Sequence, residues 1–292
     1  MPITLRVTHR TIYRFDRPVT FGPHRLMIRP RGGHDQRLMQ SSLVIAPPAS
    51  IRWHFDPFGN SIAVARFSEP ADALSIESML LLRRYPGSPA ILNPDSHATP
   101  WPFHYDEDES IDLAPFMALE NPQDEAAVTA WLETHLPRRS DEALTLLRAL
   151  GDAIHAGFAY SRRDELGTQS AATTLGTGGG TCRDFALFFM EAARVLGCAA
   201  RFVTGYLHDP GTGEDGLLGG GATHAWADVF LPGEGWIEFD PTNRIVGGRR
   251  LIRVATTRSP AQASPITGTY TANGAEYLGM EVGVSVVEEE TT

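Results

Sequence analysis

Residues Gly178–Gly197 read GGGTCRDFALFFMEAARVLG, where three glycines and a threonine lead directly into an amphipathic helical pattern. The pattern predicts a helix that starts at Cys182 and ends near Gly197. The first backbone N–H groups of a helix have no intrahelical acceptor and carry the positive end of its dipole, so they stabilise a thiolate there. The glycines allow a sharp bend and a close approach of substrate to the sulfur. Cys182 is therefore a candidate nucleophile.

A second stretch, Thr223–Asn243 (THAWADVFLPGEGWIEFDPTN), supplies the other two groups that a nucleophilic thiol needs. HAWADVFL and GWIEFD are predicted strands, and the PGEG between them is a predicted hairpin turn. His224 starts the first strand and Asp240 ends the second, so antiparallel pairing places them side by side. In such a triad the thiolate attacks a carbonyl, the imidazolium protonates the departing amine, and the carboxylate holds the imidazole in the useful tautomer. We predict that Cys182, His224 and Asp240 are the catalytic residues.

Composition narrows the class of protein. The 292 residues are 42% hydrophobic and 21% charged, with a formal net charge of -10, which fits an ordinary globular protein of one or two domains. The acidic balance argues against nucleic acid or an anionic membrane as the main partner, and no stretch is long and apolar enough for a transmembrane helix. The N-terminus does not resemble a signal peptide, and two cysteines cannot build a disulfide framework. We expect a cytoplasmic protein, because a reactive thiol persists best in a reducing compartment.

The order of patterns along the chain predicts two domains. Short alternating runs separated by turn sequences, from Ile3 to about Tyr85, predict an antiparallel β-sandwich, which we assign to residues 1–90. Prolines and acids dominate a predicted linker, 91–121. The remainder, 122–292, is the predicted catalytic domain, so the expected fold class is α+β.

Three local features of these regions have simple interpretations. The acidic run Asp106–Glu109 is interpreted as part of a solvated linker, because it lacks the ligand spacing and the glycine of a calcium loop. The pair Arg83 and Arg84 is interpreted as a solvated loop cluster. Two helices should precede the Cys182 helix, one within Asn121–Leu136 and one that starts with Ser140 as its N-cap.

The ordered motifs of the second half resemble the transglutaminase-like cysteine peptidase superfamily, in its bacterial two-domain branch. In chain order they are Gly180-Thr181-Cys182, Leu196-Gly197-Cys198-Ala199-Ala200-Arg201, His224-Ala225-Trp226, and Gly235-Trp236 through Asp240-Pro241-Thr242. The segments HRTIYRFDRPVTFGPHRLMIRPR and DPFGN resemble the N-terminal β-sandwich of that branch. The resemblance implies a papain/transglutaminase-like catalytic domain in which helices pack on an antiparallel sheet, and it implies a cysteine protease or amidase.

Substrate-binding residues are predicted beside the motifs. Arg183 stands next to the nucleophile where relatives often have a glutamine, so we expect it to influence substrate preference. Trp226 is a second candidate, although a place in the core or in the cleft wall also fits it. One oxyanion donor is expected to be the backbone N–H of Cys182. Gln169 and Tyr160 are polar residues upstream, but the sequence does not identify either as the second donor.

The leading function is hydrolysis of an amide or peptide bond through a thioester, with a peptide or protein as substrate and no cofactor. Transglutamination by an amine acceptor and a non-catalytic peptide-binding scaffold remain alternatives, and oligomeric state is not predicted. No metal site is expected, since no Cys-x-x-Cys or His-x-x-x-His pair accompanies the triad. Cys198 is interpreted as a core thiol. The glycine-rich stretch 209–221 is interpreted either as a mobile loop beside the cleft or as a passive connection.

Overall fold

The structure is a computed structural model, which describes residues 2–85, 99–136, 139–161, 167–211 and 217–289. The strands of the N-terminal half are β1 (Ile3–Phe21), β2 (His24–Arg29), β3 (Gln36–Ala46), β4 (Ala49–Phe55), β5 (Ser61–Phe67) and β6 (Ala71–Arg84). The helices are α1 (Glu107–Met117), α2 (Glu125–His135), α3 (Ala143–Gly157), α4 (Ala171–Thr177) and α5 (Cys182–Val195). The later strands are β7 (Ala159–Tyr160), β8 (Gly179–Gly180), β9 (Ala200–Leu207), β10 (His224–Leu231), β11 (Gly235–Asp240), β12 (Ile245–Val246), β13 (Leu251–Thr257), β14 (Ile266–Thr267), β15 (Tyr270–Thr271) and β16 (Tyr277–Glu289).

The N-terminal half is the predicted antiparallel β-sandwich. One sheet has the strand order β15-β1-β6-β3, with β16 also paired to β1, and the other has the order β14-β2-β5-β4. Alternate residues of β6 are buried, as expected for strands with one face on a core. Inward-facing residues of β1 and β6, such as Leu5 and Leu82, pack against Ile252 of β13, so this core continues into the catalytic half.

The C-terminal strands correct the predicted domain boundary. The sequence assigned all of 122–292 to the catalytic domain, but β14 pairs with β2, β15 pairs with β1, and β16 runs antiparallel to β1 from Thr4↔Glu289 to Phe15↔Tyr277. The long strand β1 has two edges, and β6 occupies only one of them. The returning chain pairs with the other edge, whose backbone N–H and C=O groups would otherwise lack sheet partners.

The predicted linker also contains regular structure. Residues 107–117 form α1, and the side chain of Asp106 caps it by accepting a hydrogen bond from the backbone N–H of Glu109. Acidic residues occupy the first turn, where the helix dipole favours negative charge. The acidic run is therefore the start of a helix within the predicted linker, and Asp106, Glu107 and Asp108 are exposed to solvent as the interpretation of a solvated segment requires.

The catalytic half is an antiparallel sheet covered by helices. Its strand order is β12-β11-β10-β9-β13. Helix α5 packs against β9 and β10, and the core between them contains Phe185, Phe189 and Phe239. None of the helices in the described part of the chain is long and apolar enough to cross a membrane.

The N-cap of helix α3 lies two residues after the predicted one, Ser140. Its N-cap is Glu142, whose carboxylate accepts hydrogen bonds from the N–H groups of Leu144 and Thr145. Ser140 lies before the helix, and its hydroxyl accepts a hydrogen bond from the N–H of Glu142. Serine is the residue type more often found at an N-cap, so the sequence predicted Ser140. The helix is capped instead by Glu142, because its carboxylate reaches the free N–H groups of the first turn.

A buried ion-pair cluster joins the two halves of the molecule. Arg84, at the end of β6, is 1% exposed, and its guanidinium lies 2.9 Å from the carboxylate of Asp35 and 3.4 Å from that of Glu238 in β11. Arg253 in β13 contacts the same two carboxylates. Burial raises the pKa of Glu238 to about 7 despite the two arginines. The interpretation of Arg84 as a solvated loop residue is therefore wrong.

Candidate active site

Helix α5 begins at Cys182 as predicted, and its first turn is fixed by a carboxylate. Oδ2 of Asp184 accepts hydrogen bonds from the backbone N–H of Thr181 at 2.8 Å and from its hydroxyl at 2.9 Å. A side chain at Gly180 would place its Cβ 2.8 Å from the Cβ of Asp184, so only glycine fits there. The helix ends at Val195, two residues before Gly197, whose φ is 86°. The first turn is thus held in place around the sulfur, and Cys182 is 7% exposed.

The same carboxylate ties the preceding loop to the helix. Oδ1 of Asp184 accepts from the backbone N–H of Gln169 at 2.7 Å, and Oδ2 accepts from its side-chain amide at 3.2 Å. The side-chain amide of Gln169 therefore makes a structural hydrogen bond to the first turn of α5. The ring of Tyr160 packs edge-on against Phe185 of the same helix.

His224 and Asp240 lie on neighbouring antiparallel strands, β10 and β11, as the hairpin prediction required. Nε2 of His224 lies 2.8 Å from Oδ2 of Asp240, and the hydrogen belongs to the imidazole because a carboxylate only accepts. Oδ1 of Asp240 accepts from the backbone N–H of Thr242 at 3.0 Å. Both members of the pair are 1% exposed.

The electrostatics of the pair favour a protonated imidazole. Burial by itself would lower the pKa of His224, but the Asp240 carboxylate and the neighbouring Cys182 side chain outweigh it and raise this pKa to about 10. Nδ1 of His224 is buried and has no hydrogen-bond partner among the described residues. The ring thus uses Nε2 for Asp240, and Nδ1 remains available.

The structure shows what surrounds each of the two predicted substrate-binding residues. Trp226 is fully buried and packs with Val203 and Leu251 on the face of the sheet that also carries His224, so its ring is a core residue. The guanidinium of Arg183 donates to the carbonyl of Pro260 at 2.8 Å and lies 5.0 Å from the ring centre of Phe202. The core position of Trp226 is the alternative that the sequence left open, because burial of one sheet face depends on what packs there. The influence of Arg183 on substrate preference stays a prediction.

Asn243 is a residue of this site that the sequence analysis missed. Its side-chain amide donates to Oδ2 of Asp240 at 2.9 Å and to the backbone carbonyl of Leu218 at 3.1 Å. Its side-chain oxygen accepts from the N–H of Leu218 at 2.7 Å. The available signal was its position immediately after Asp240-Pro241-Thr242. Leu218 belongs to the glycine-rich stretch 209–221, of which 212–216 lie outside the described residues.

Comparisons with known proteins agree with this fold. Residues 5–82 match the bacterial transglutaminase-like N-terminal region, and residues 130–241 match the transglutaminase-like superfamily. Uncharacterized proteins of Mycobacterium tuberculosis and Mycobacterium bovis are each 32% identical over 307 residues, covering 98% of this chain and 93% of the relative. An uncharacterized protein of Mycobacterium leprae is 23% identical, with 96% and 98% covered.

A solved structure gives the same architecture. The crystal structure of a candidate cysteine protease from Cytophaga hutchinsonii covers 100% of this chain, and 93% of its own chain is covered, with a TM-score of 0.76 and 18% identity. At that identity the likeness concerns the fold. Together with the two matched regions and the relatives that span nearly the whole chain, it places both halves in one family. The chain belongs to the transglutaminase-like superfamily, in the branch that carries the bacterial transglutaminase-like N-terminal region.

Proposed function

We propose that this protein is a cysteine acyl-transfer enzyme that hydrolyses an amide or peptide bond through a thioester, with Cys182 as nucleophile, His224 as acid and base, and Asp240 as the group that orients His224. The observation that carries the proposal is the buried His224–Asp240 pair, 2.8 Å apart, beside a thiol at the first turn of a helix. A pKa of about 10 keeps the imidazole protonated near neutral pH, which favours a thiolate next to it.

The proposed reaction balances with these groups alone. The thiolate bonds to the carbonyl carbon, the C–N bond breaks, and the amine leaves with a proton from His224. Water then attacks the thioester carbon, passes a proton to His224, and the C–S bond breaks to restore the thiolate. The backbone N–H of Cys182, at the start of α5, is the proposed donor to the oxyanion. The proposed reaction needs no cofactor. We propose that the protein acts in the cytoplasm, because a reducing compartment keeps the thiol active.

The test uses a peptide library, with and without a labelled primary amine, and mass spectrometry of the products. Cleavage in both samples is expected. Amine adducts in place of cleavage would make the protein a transglutaminase, and absence of any reaction would favour a peptide-binding scaffold. Cys182→Ala should abolish the reaction, whereas the matched variant Cys198→Ala should retain it, because Cys198 is a core thiol that is 1% exposed. Equal loss in both variants would contradict the assignment of Cys182.

A further inference from the structure

A short backbone segment covers the imidazole of His224. This segment, residues 217–221, is the described end of the glycine-rich stretch that leads into β10. Gly219 lies so close to the ring that a Cβ on it would be 3.0 Å from Nδ1 of His224 and 3.5 Å from the hydroxyl of Tyr160. Nδ1 is the ring nitrogen that is not bonded to Asp240, and the Cys182 side chain is close enough to raise the pKa of this histidine. The segment therefore occupies the approach to the Cys182–His224 pair, in agreement with the low exposure of both residues.

The segment is held on both sides of Gly219. On one side the carboxylate of Asp209 accepts from the N–H of Leu217 at 2.8 Å. On the other side the carbonyl of Gly221 accepts from the N–H of Val284 in β16, at 3.0 Å. These anchors connect the segment to neighbouring structure but do not touch the catalytic pair.

Asn243 connects the segment to Asp240, the carboxylate that orients His224. Its amide forms two hydrogen bonds with the backbone of Leu218, one as donor and one as acceptor, and donates its other hydrogen to Asp240. Only a side-chain amide supplies two donor hydrogens and an acceptor from one planar group. An aspartate at this position would lose both donated bonds and would place a second carboxylate against Asp240.

We propose that Asn243 is a positioning residue that holds the Leu218–Gly219 backbone over the imidazole of His224, so that an acyl substrate reaches Cys182 only when the two Asn243–Leu218 hydrogen bonds break. The proposal rests on the proposed function. It makes the segment a cover of the active site, and it couples the position of that cover to the orientation of Asp240 through one amide group.

Alkylation of Cys182 tests the proposal without any knowledge of the substrate. The rates with iodoacetamide, a small reagent, and with a polyethylene-glycol maleimide, a bulky one, are measured by mass spectrometry on the intact chain, and their ratio reports access. Asn243→Ala should raise the bulky-to-small ratio by about tenfold, the size expected from loss of two hydrogen bonds. An unchanged or lower ratio in the folded variant would overturn the proposal. General destabilisation would also expose the buried thiol of Cys198 to the bulky reagent, so the ratio at Cys182 is compared with bulky labelling of Cys198, which should not rise.

A pair of glycine variants covers the case in which Asn243→Ala fails to fold. Gly219→Ala and Gly221→Ala both introduce a side chain at positive φ, 86° and 77°, so both cost backbone strain. Only the first brings a methyl group against His224, since a Cβ at Gly221 meets nothing within 4 Å. The ratio should rise in Gly219→Ala alone, and equal ratios would overturn the proposal. If no peptide were cleaved but the labelling ratios changed as expected, the proposed hydrolysis would be refuted and the proposed role of Asn243 in covering His224 would stand.

Discussion

At the scale of single residues, the charge of Asp240 determines the protonation of His224. Burial lowers the pKa of this histidine, and the carboxylate and the neighbouring Cys182 side chain raise it above its ordinary value of 6.5, to about 10. The pairing therefore stabilises the fold fully below about pH 6.5, and this contribution is lost as pH rises towards 10. Asp240→Asn removes the charge and keeps the shape. We expect iodoacetamide labelling of Cys182 near neutral pH to slow by about tenfold or more, with its rise displaced to higher pH.

Two comparisons control this measurement. Cys198 is an internal standard, because burial raises its pKa to about 12 and it should label slowly in every variant. Asp228→Asn removes another buried carboxylate of β10, the one 2.9 Å from Arg201, and should lower stability without displacing the labelling profile. An identical displacement in both aspartate variants would show that Asp240 has no special effect on the thiol.

At the scale of elements, the start of α5 depends on Asp184. Replacement of this carboxylate by alanine leaves the N–H of Thr181 without its acceptor and releases Gln169 from the helix. We expect Asp184→Ala to lower the free energy of unfolding by about 1–2 kcal/mol and to slow the labelling of Cys182, because the first turn no longer holds the sulfur in place. Denaturant unfolding and the labelling rate measure the two effects.

The matched control is the cap of another helix. Asp106→Ala removes the N-cap of α1, whose side chain accepts from the N–H of Glu109 at 2.8 Å. It should leave the reactivity of Cys182 unchanged whatever it costs in stability. If Asp184→Ala behaved in the same way, the capping carboxylate would have a purely structural role.

At the scale of the whole molecule, the two halves are joined through Arg84. Its guanidinium pairs with Asp35 of the sandwich and Glu238 of the catalytic sheet. Removal of one partner from a buried ion cluster leaves uncompensated charges, so Arg84→Ala should lower the free energy of unfolding by about 3–5 kcal/mol. The neighbouring variant Arg83→Ala, on the opposite face of β6, should change it far less. Equal effects in chemical denaturation would contradict a specific role for Arg84 at the junction.

Much of the fold class and of the candidate site was predictable from the sequence, because both depend on local patterns. Glycines followed by an amphipathic run predict a helix that starts at Cys182 and ends near Gly197, and the helix runs from Cys182 to Val195. Two alternating runs with a PGEG turn determine that β10 and β11 form a hairpin, which brings His224 and Asp240 together. Backbone sterics, hydrophobic periodicity and turn chemistry act over a few neighbouring residues, so the sequence alone predicts this helix and this hairpin.

Only the tertiary structure decided the features that depend on residues far apart in the chain. The return of β16 to β1 depends on which edge of the sheet is open. The burial of Arg84 depends on carboxylates that come from both halves of the molecule. The burial of Trp226 depends on which residues cover one face of the sheet. The bonds between Asn243 and Leu218 form because the fold brings the end of one loop against the residue after a strand. Such contacts leave no periodic pattern in the sequence, because the residues meet only after the helices and strands have packed together.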